Sequence, residues 1–223
     1  MPRFAISDIH GCPLTFKALL DKIQLTTQDE LYLLGDFIDR GPDSKGVIDQ
    51  VWQLQKDGYT VHCTRGNHEQ LLLGTITDHN SRRIWMKHGG IQTLESFGAM
   101  LPEDIPSEYM QFFRDLPYYL ELPDEYILVH AGLDFSDEDP LQDPRPMLWI
   151  RPWDMQFDLN WLNGRVIVHG HTPISEEEIR SQLLLLPNHP AINIDAGCVY
   201  SRLQKLCALD LDSRELYFQD NVD

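Results

Sequence analysis

The chain has 223 residues, 42% of them hydrophobic and 24% charged, the composition of a globular protein able to bury a substantial core. Its formal net charge of −17 argues against a nucleic-acid partner, which ordinarily meets a basic face. No apolar run is long enough for an export signal or a membrane span, and Cys12, Cys63, Cys198 and Cys207 form no CxxC pair, so a single domain over 1–223 with reduced thiols in the cytoplasm is expected.

In chain order, "RFAIS" (3–7) reads as a short buried strand. Pro13 opens a helix to about Lys22, with Phe16, Leu19, Leu20 and Ile23 at helical spacing. "LYLLG" (31–35) is the second strand. Asp43 or Ser44 caps a helix whose stripe is Val47, Ile48, Val51 and Leu54, and Gly58 ends it. "YTVHCT" (59–64) is a third strand, and a helix follows from about Glu69. This alternation predicts βαβ units, a largely parallel sheet and an α/β fold. Residues 75–121 read as a helical insertion over one sheet edge. Residues 125–130, 165–170 and 191–197 are further strands, and "LCALDLDSRELYFQ" reads as a terminal hairpin around Asp212 and Ser213.

The strand ends share a property. Strand one runs into Asp8-Ile9-His10-Gly11 and strand two into Gly35-Asp36, then Asp39-Arg40-Gly41. Strand three runs into Arg65-Gly66-Asn67-His68-Glu69, and later strands end at His130 and at His169-Gly170-His171. Ligands of doubly wound sheets bind outside the carboxyl ends of the strands, so these residues are expected on one rim. Together they form a dinuclear metal inventory. Asp8 and His10, two apart on an extended chain, would hold one ion. Asp36 could bridge two ions with its two oxygens, Asn67 offers a neutral amide oxygen, and His130 and His171 offer imidazole nitrogens. Nitrogen and oxygen donors without thiolate suit Mn, with Fe, Zn, Ni or Co as alternatives. Two cations against two aspartates leave a positive centre suited to phosphate, to which Arg40, Arg65 and Arg151 would add fork-shaped contacts.

Each motif alone has a plainer explanation. Asp-x-His is common on surfaces, Gly-Asp after a strand is usually a turn, and Asn67-His68 alone reads as a helix cap. His62, His79 and His189 have no partner motif and fit such readings, whereas His88 beside Gly89-Gly90 is undecided. The fixed order, each time at a strand's end, is what chance does not explain.

With these motifs the sequence resembles the phosphoprotein phosphatase branch of the calcineurin-like metallophosphoesterases. Ser7 to Gly11 is similar to its GDxHG, Gly35 to Gly41 to its GDxVDRG, and Gly66 to Glu69 to its GNHE; His130 and Gly170-His171-Thr172-Pro173 match its later histidines. The length is that of small bacterial and phage-type members. The resemblance implies a four-layer α/β/β/α sandwich. It implies one metal on Asp8, His10 and Asp36 and another on Asp36, Asn67, His130 and His171, with His169 outside the ligand set.

The expected reaction is hydrolysis of a phosphoester by a hydroxide shared between two ions. His68 is the expected general acid, oriented by Asp39, which would raise its pKa. The expected substrate is a phosphorylated protein or a small phosphoester, as for a serine/threonine phosphatase, with neither nucleic acid nor membrane as partner. The alternative is a symmetrical dinucleoside polyphosphate hydrolase acting on diadenosine tetraphosphate. Asp39 and Glu69 weigh against it, because that relative typically differs at both places.

Overall fold

The computed structural model describes residues 1–123, 125–151, 155–186 and 188–223. The chain begins β1 (Arg3–Ile6), α1 (Pro13–Lys22), β2 (Glu30–Leu33), α2 (Ser44–Lys56), β3 (Thr60–Cys63), α3 (Asn67–Gly74). Then come α4 (His79–Trp85), a wide turn over Met86–Gly90, α5 (Ile91–Phe97), α6 (Ser107–Asp115), β4 (Tyr119–Leu122) and β5 (Tyr126–Val129). The remainder is α7 (Pro144–Trp149), α8 (Leu159–Leu162), β6 (Val166–His169), α9 (Glu176–Leu185), β7 (Ala191–Asn193), β8 (Lys205–Asp210) and β9 (Leu216–Asp220).

These strands form the two sheets of the expected α/β/β/α sandwich, not the single sheet that the strand–helix alternation alone suggested. The first has the order β3-β2-β1-β8-β9 and the second β4-β5-β6-β7. β1, β2 and β3 are parallel, while β8 and β9 join antiparallel. In the second sheet β5, β6 and β7 are parallel and β4 is antiparallel to β5. The side-chain period of two splits each strand between two cores. Ala5, Tyr32 and Leu34 of the first sheet pack with Leu128, Val168 and Ile192 of the second. Phe4, Ile6, Leu31 and Leu33 point the other way, onto Phe16, Leu19, Val47 and Val51 of α1 and α2. The outer face of the second sheet sets Ile127, Val129 and Ile167 against Met147 of α7 and Leu162 of α8. The result is an α/β/β/α stack. Each fully buried aliphatic side chain contributes about 1.5–3 kcal/mol to holding it.

Local signals explain most boundaries. Asp43 caps α2, its side chain accepting the Gly46 N–H at 2.7 Å. The β8–β9 hairpin turns where Asp210 Oδ1 accepts the N–H groups of Asp212 and Ser213, an Asx turn. The segment over 75–121 departs from the helical expectation at its end. Leu116 precedes Pro117 and is extended, as a residue before proline must largely be. Tyr119–Leu122 therefore leaves α6 as an edge strand. The rest of the segment packs Trp85, Leu94, Tyr109 and Phe113 into the cluster under α1 and α2. Among the described residues, no helix is long and apolar enough to cross a membrane.

Candidate metal centre and active site

The carboxyl ends of β1, β2, β3, β5 and β6 bring Asp8, His10, Asp36, Asn67, His130 and His171 together, all buried. Their backbone is unusual. Among the described residues ten non-glycine residues have positive φ, and six lie here: Asp8, His10, Asp36, Asp39, Arg40 and His171. Left-handed backbone costs an L-residue roughly 1–2 kcal/mol, and such strain clusters where function requires it. Asp8 (φ 56°) and His10 (φ 48°) are therefore not on an extended chain; a turn, not strand alternation, aims them. Close approach matters too: a Cβ on Gly170 would lie 2.1 Å from Asp8 Oδ2.

Each ligand candidate is oriented by a backbone partner. His10 Nδ1 donates to the Ile38 carbonyl at 2.9 Å, and His130 Nδ1 to the Leu34 carbonyl at 2.9 Å. Both Nε2 atoms thus present bare lone pairs to the rim. His10 Nε2 lies 3.5 Å from Asp36 Oδ2 and 3.9 Å from Asp8 Oδ1. His130 Nε2 lies 3.4 Å from Asp36 Oδ1, 2.9 Å from Asn67 Oδ1 and 3.2 Å from His171 Nδ1. Asp36 stands between the two sets, one oxygen toward each. Asp8 Oδ2 accepts the His171 N–H at 3.0 Å and the Ser7 hydroxyl.

These side chains fit a pair of cations. Acceptor atoms converge on His130 Nε2, which has no proton to share, and His171 Nε2 is buried with no hydrogen-bond partner among the described residues. Ligand atoms of His10, Asp36 and His68, and of Asp36, His130 and His171, fall within 4.8 Å of one another. Burial pushes His10 and His130 down and His171 down to about 2, keeping all three rings neutral. Burial, then Asp8 and Glu69, push the Asp36 carboxyl up, a cost that a divalent cation would offset.

Beside this centre sits a dyad. His68 Nδ1 meets Asp39 Oδ2 at 2.6 Å, and His68 Nε2 lies 3.9 Å from Asp36 Oδ2. Asp39 Oδ1 accepts from Trp85 Nε1 at 3.0 Å and from the Thr93 hydroxyl at 2.6 Å. Burial pushes Asp39 up and His68 down, with the Arg40 guanidinium lowering His68 further. The expected rise in His68 pKa is thus outweighed by desolvation and neighbouring positive charge.

The three arginines have different placements. Arg40 lies on His10 Nε2, with its guanidinium 5.3 Å from the Tyr200 ring. It sets a positive charge against a lone pair that a metal would take. Arg151 donates to the Thr172 hydroxyl at 3.0 Å, next to His171. Arg65 is not brought to the rim. Its guanidinium donates to Gln70, Tyr118 and the Arg114 and Leu116 carbonyls, so it ties α3 to the end of α6. His169 is buried behind the rim, with Nδ1 3.2 Å from the Gly170 carbonyl.

Sequence reasoning missed several supports. The Glu69 carboxylate accepts the N–H groups of Asp36, Phe37 and Gly66 at 2.8–2.9 Å, fastening the ends of β2 and β3. Asp195 follows β7 in the same strand-then-acid pattern as Asp8 and Asp36, a signal present in "AINIDAG"; burial and Asp8 push its carboxyl up. Trp85 and Thr93 carried no motif.

The family profile for calcineurin-like phosphoesterases matches residues 1–196. The chain belongs to that family. Its members depend on two metals, and the side chains above supply the corresponding donors. A relative from Oceanobacillus iheyensis, described as an asymmetrical bis(5'-nucleosyl)-tetraphosphatase PrpE, is 28% identical over 236 residues, covering 94% of this chain and 88% of that protein. One of the same description from Geobacillus is 26% identical over 221 residues, covering 87% and 85%. Among solved structures, a putative diadenosine tetraphosphatase superposes with TM-score 0.68 at 20% identity, covering all of this chain and 94% of the other. A yeast serine/threonine phosphatase with similarity to human PP5 gives 0.67 at 16%, covering all of this chain and 81% of the other. The two structural likenesses show the fold alone.

Proposed function

We propose that this metallophosphoesterase is a phosphomonoesterase for esters with poor leaving groups, phosphoserine and phosphothreonine among them. The observation that carries this reading is the buried His68–Asp39 dyad beside Asp36. A serine alkoxide is a strong base and needs a proton as the P–O bond breaks, and a positioned acid supplies it. Asp39 holds His68 Nδ1, so Nε2 is the nitrogen that faces the leaving group; it would donate there as the imidazolium, whose charge the Asp39 carboxylate stabilises against the cost of burial. Trp85 and Thr93 hold Asp39 in turn. Arg40 and Arg151 would hold phosphoryl oxygens as charge gathers on them. Two divalent ions, manganese the first candidate, would be held by Asp8, His10, Asp36, Asn67, His130 and His171, supplying Lewis acidity and activating water.

A second reading is asymmetrical hydrolysis of dinucleoside tetraphosphates, supported by the descriptions of the bacterial relatives. A nucleotide leaves as a phosphate of near-neutral basicity and needs no acid, so it draws less on His68. The deciding assay offers the manganese-loaded enzyme a phosphoserine peptide and diadenosine tetraphosphate separately. Phosphate release from the peptide, lost in His68→Ala, is expected. Turnover of the dinucleotide alone would replace the first reading with the second. Its products separate ATP plus AMP from the two ADP of symmetrical cleavage.

A further inference from the structure

The wide turn Met86–Gly90 is pressed against the Arg40 turn. Gly89 has φ +111°, and a Cβ there would lie 2.4 Å from the Arg40 nitrogen, so only glycine permits this approach. The Arg40 N–H donates to the Gly89 carbonyl at 3.4 Å. Between the two turns opens a cleft of about 570 Å³, lined by Arg40, Lys87, His88, Gln92 and Tyr200. That is within the range of roughly 300–1,000 Å³ usual for small-ligand sites. The cleft adjoins the chemistry. The His88 ring is 6.4 Å from the His68 ring, and Arg40 reaches from the cleft wall to His10.

The lining is basic in a chain of net charge −17. Arg40 and Lys87 make no ion pair with Asp or Glu among the described residues. We infer that this cleft is a subsite for a second anionic group of the substrate, the phosphoryl group next to the scissile one in a polyphosphate chain. Lys87 and His88 would bind it from the turn and Arg40 would contact both groups. The inference deepens the second reading of the site and rests on the metal centre taking the scissile phosphoryl. Lys87 and His88 are then specificity residues.

The test measures calorimetric affinity of the manganese-loaded protein, at fixed free manganese, for methylphosphonate and methylenediphosphonate. Neither probe is hydrolysed, so the result is independent of which ester is turned over. The wild type is expected to bind the diphosphonate at least about tenfold more tightly, the effect of one charge-assisted hydrogen bond. The ratio of the two affinities should fall to within about threefold in Lys87→Ala/His88→Ala, recover in Lys87→Arg, and fall further in Lys87→Glu. A ratio unchanged by the double substitution would mean that the metals alone bind the second group, and the subsite would be refuted. A parallel arm compares phosphoserine peptides carrying Asp or Ala beside the phosphoserine. A Lys87-dependent preference for Asp, without one for the diphosphonate, would also overturn the assignment, in favour of an acidic side chain. Failure of the second reading looks different: no turnover of diadenosine tetraphosphate, whatever the affinity ratio.

Discussion

Thr93→Val isolates the support behind the proposed acid. The substitution keeps shape and volume and removes only the hydroxyl, which donates to Asp39 Oδ1 at 2.6 Å and accepts the Asp39 N–H at 3.0 Å. Asp39 is fully buried. A hydrogen bond to a charged group is worth about 1.5–3 kcal/mol. The Asp39 N–H keeps its 3.0 Å bond to the Ser44 hydroxyl, and that hydroxyl loses Thr93 as its own acceptor at 2.9 Å; these two neutral losses add little, and the total is about 2–3 kcal/mol. For a chain of this length each kcal/mol moves the melting midpoint by roughly 2–4 °C, so a fall of about 4–12 °C is expected in metal-free protein. Asp39 Oδ1 would then be held by Trp85 alone, and the carboxylate would steer His68 less well. Turnover of alkyl phosphates should therefore drop by about tenfold, with a smaller effect on p-nitrophenyl phosphate, whose leaving group needs little protonation. Thermal unfolding and a series of aryl and alkyl phosphates read both effects. An unchanged midpoint, or an equal loss across the series, would refute the claim that Thr93 acts through Asp39.

Asp36→Asn should weaken both ion sites, which share its carboxylate, read as fewer than two manganese ions per chain by elemental analysis after equilibrium dialysis. His68→Ala should retain both ions yet lose on the order of 10²–10⁴ in kcat on a phosphoserine peptide, the range typical of a removed acid. His169 carries a pH effect on the metal-free protein. Burial pushes its pKa down to about 4, below the ~6.5 of an unfolded imidazole. The unfolded chain therefore binds the proton first as pH falls, and stability is lost from about pH 6.5 down toward 4, by about 3 kcal/mol at most for this group. Urea unfolding in chelator at pH 7.5 and 5 should show a smaller fall for His169→Gln than for the wild type.

What the sequence determined by itself was the rim. Strand ends are local events, and a polar residue directly after an apolar run is visible without knowing the partner strands. Six ligand candidates, the His68–Asp39 pair and Arg40 were legible for that reason, as was the hairpin around Asp212. Tertiary structure decided what depends on contacts far apart in the chain. Tyr119–Leu122 became a strand because β5 offered it a free edge. Arg65 left the rim because the end of α6 offered its guanidinium carbonyls. Thr93 and Trp85 joined the dyad from a segment with no motif, because the kink at Gly89 folds that segment onto the Arg40 turn. Strand periodicity shows which residues are buried but not which sheet covers them. Periodicity and strand order left open whether the strands form one sheet or two; the motif resemblance implied the two-sheet sandwich, and Tyr32 and Leu34 meeting Leu128 and Val168 across the interior realise it.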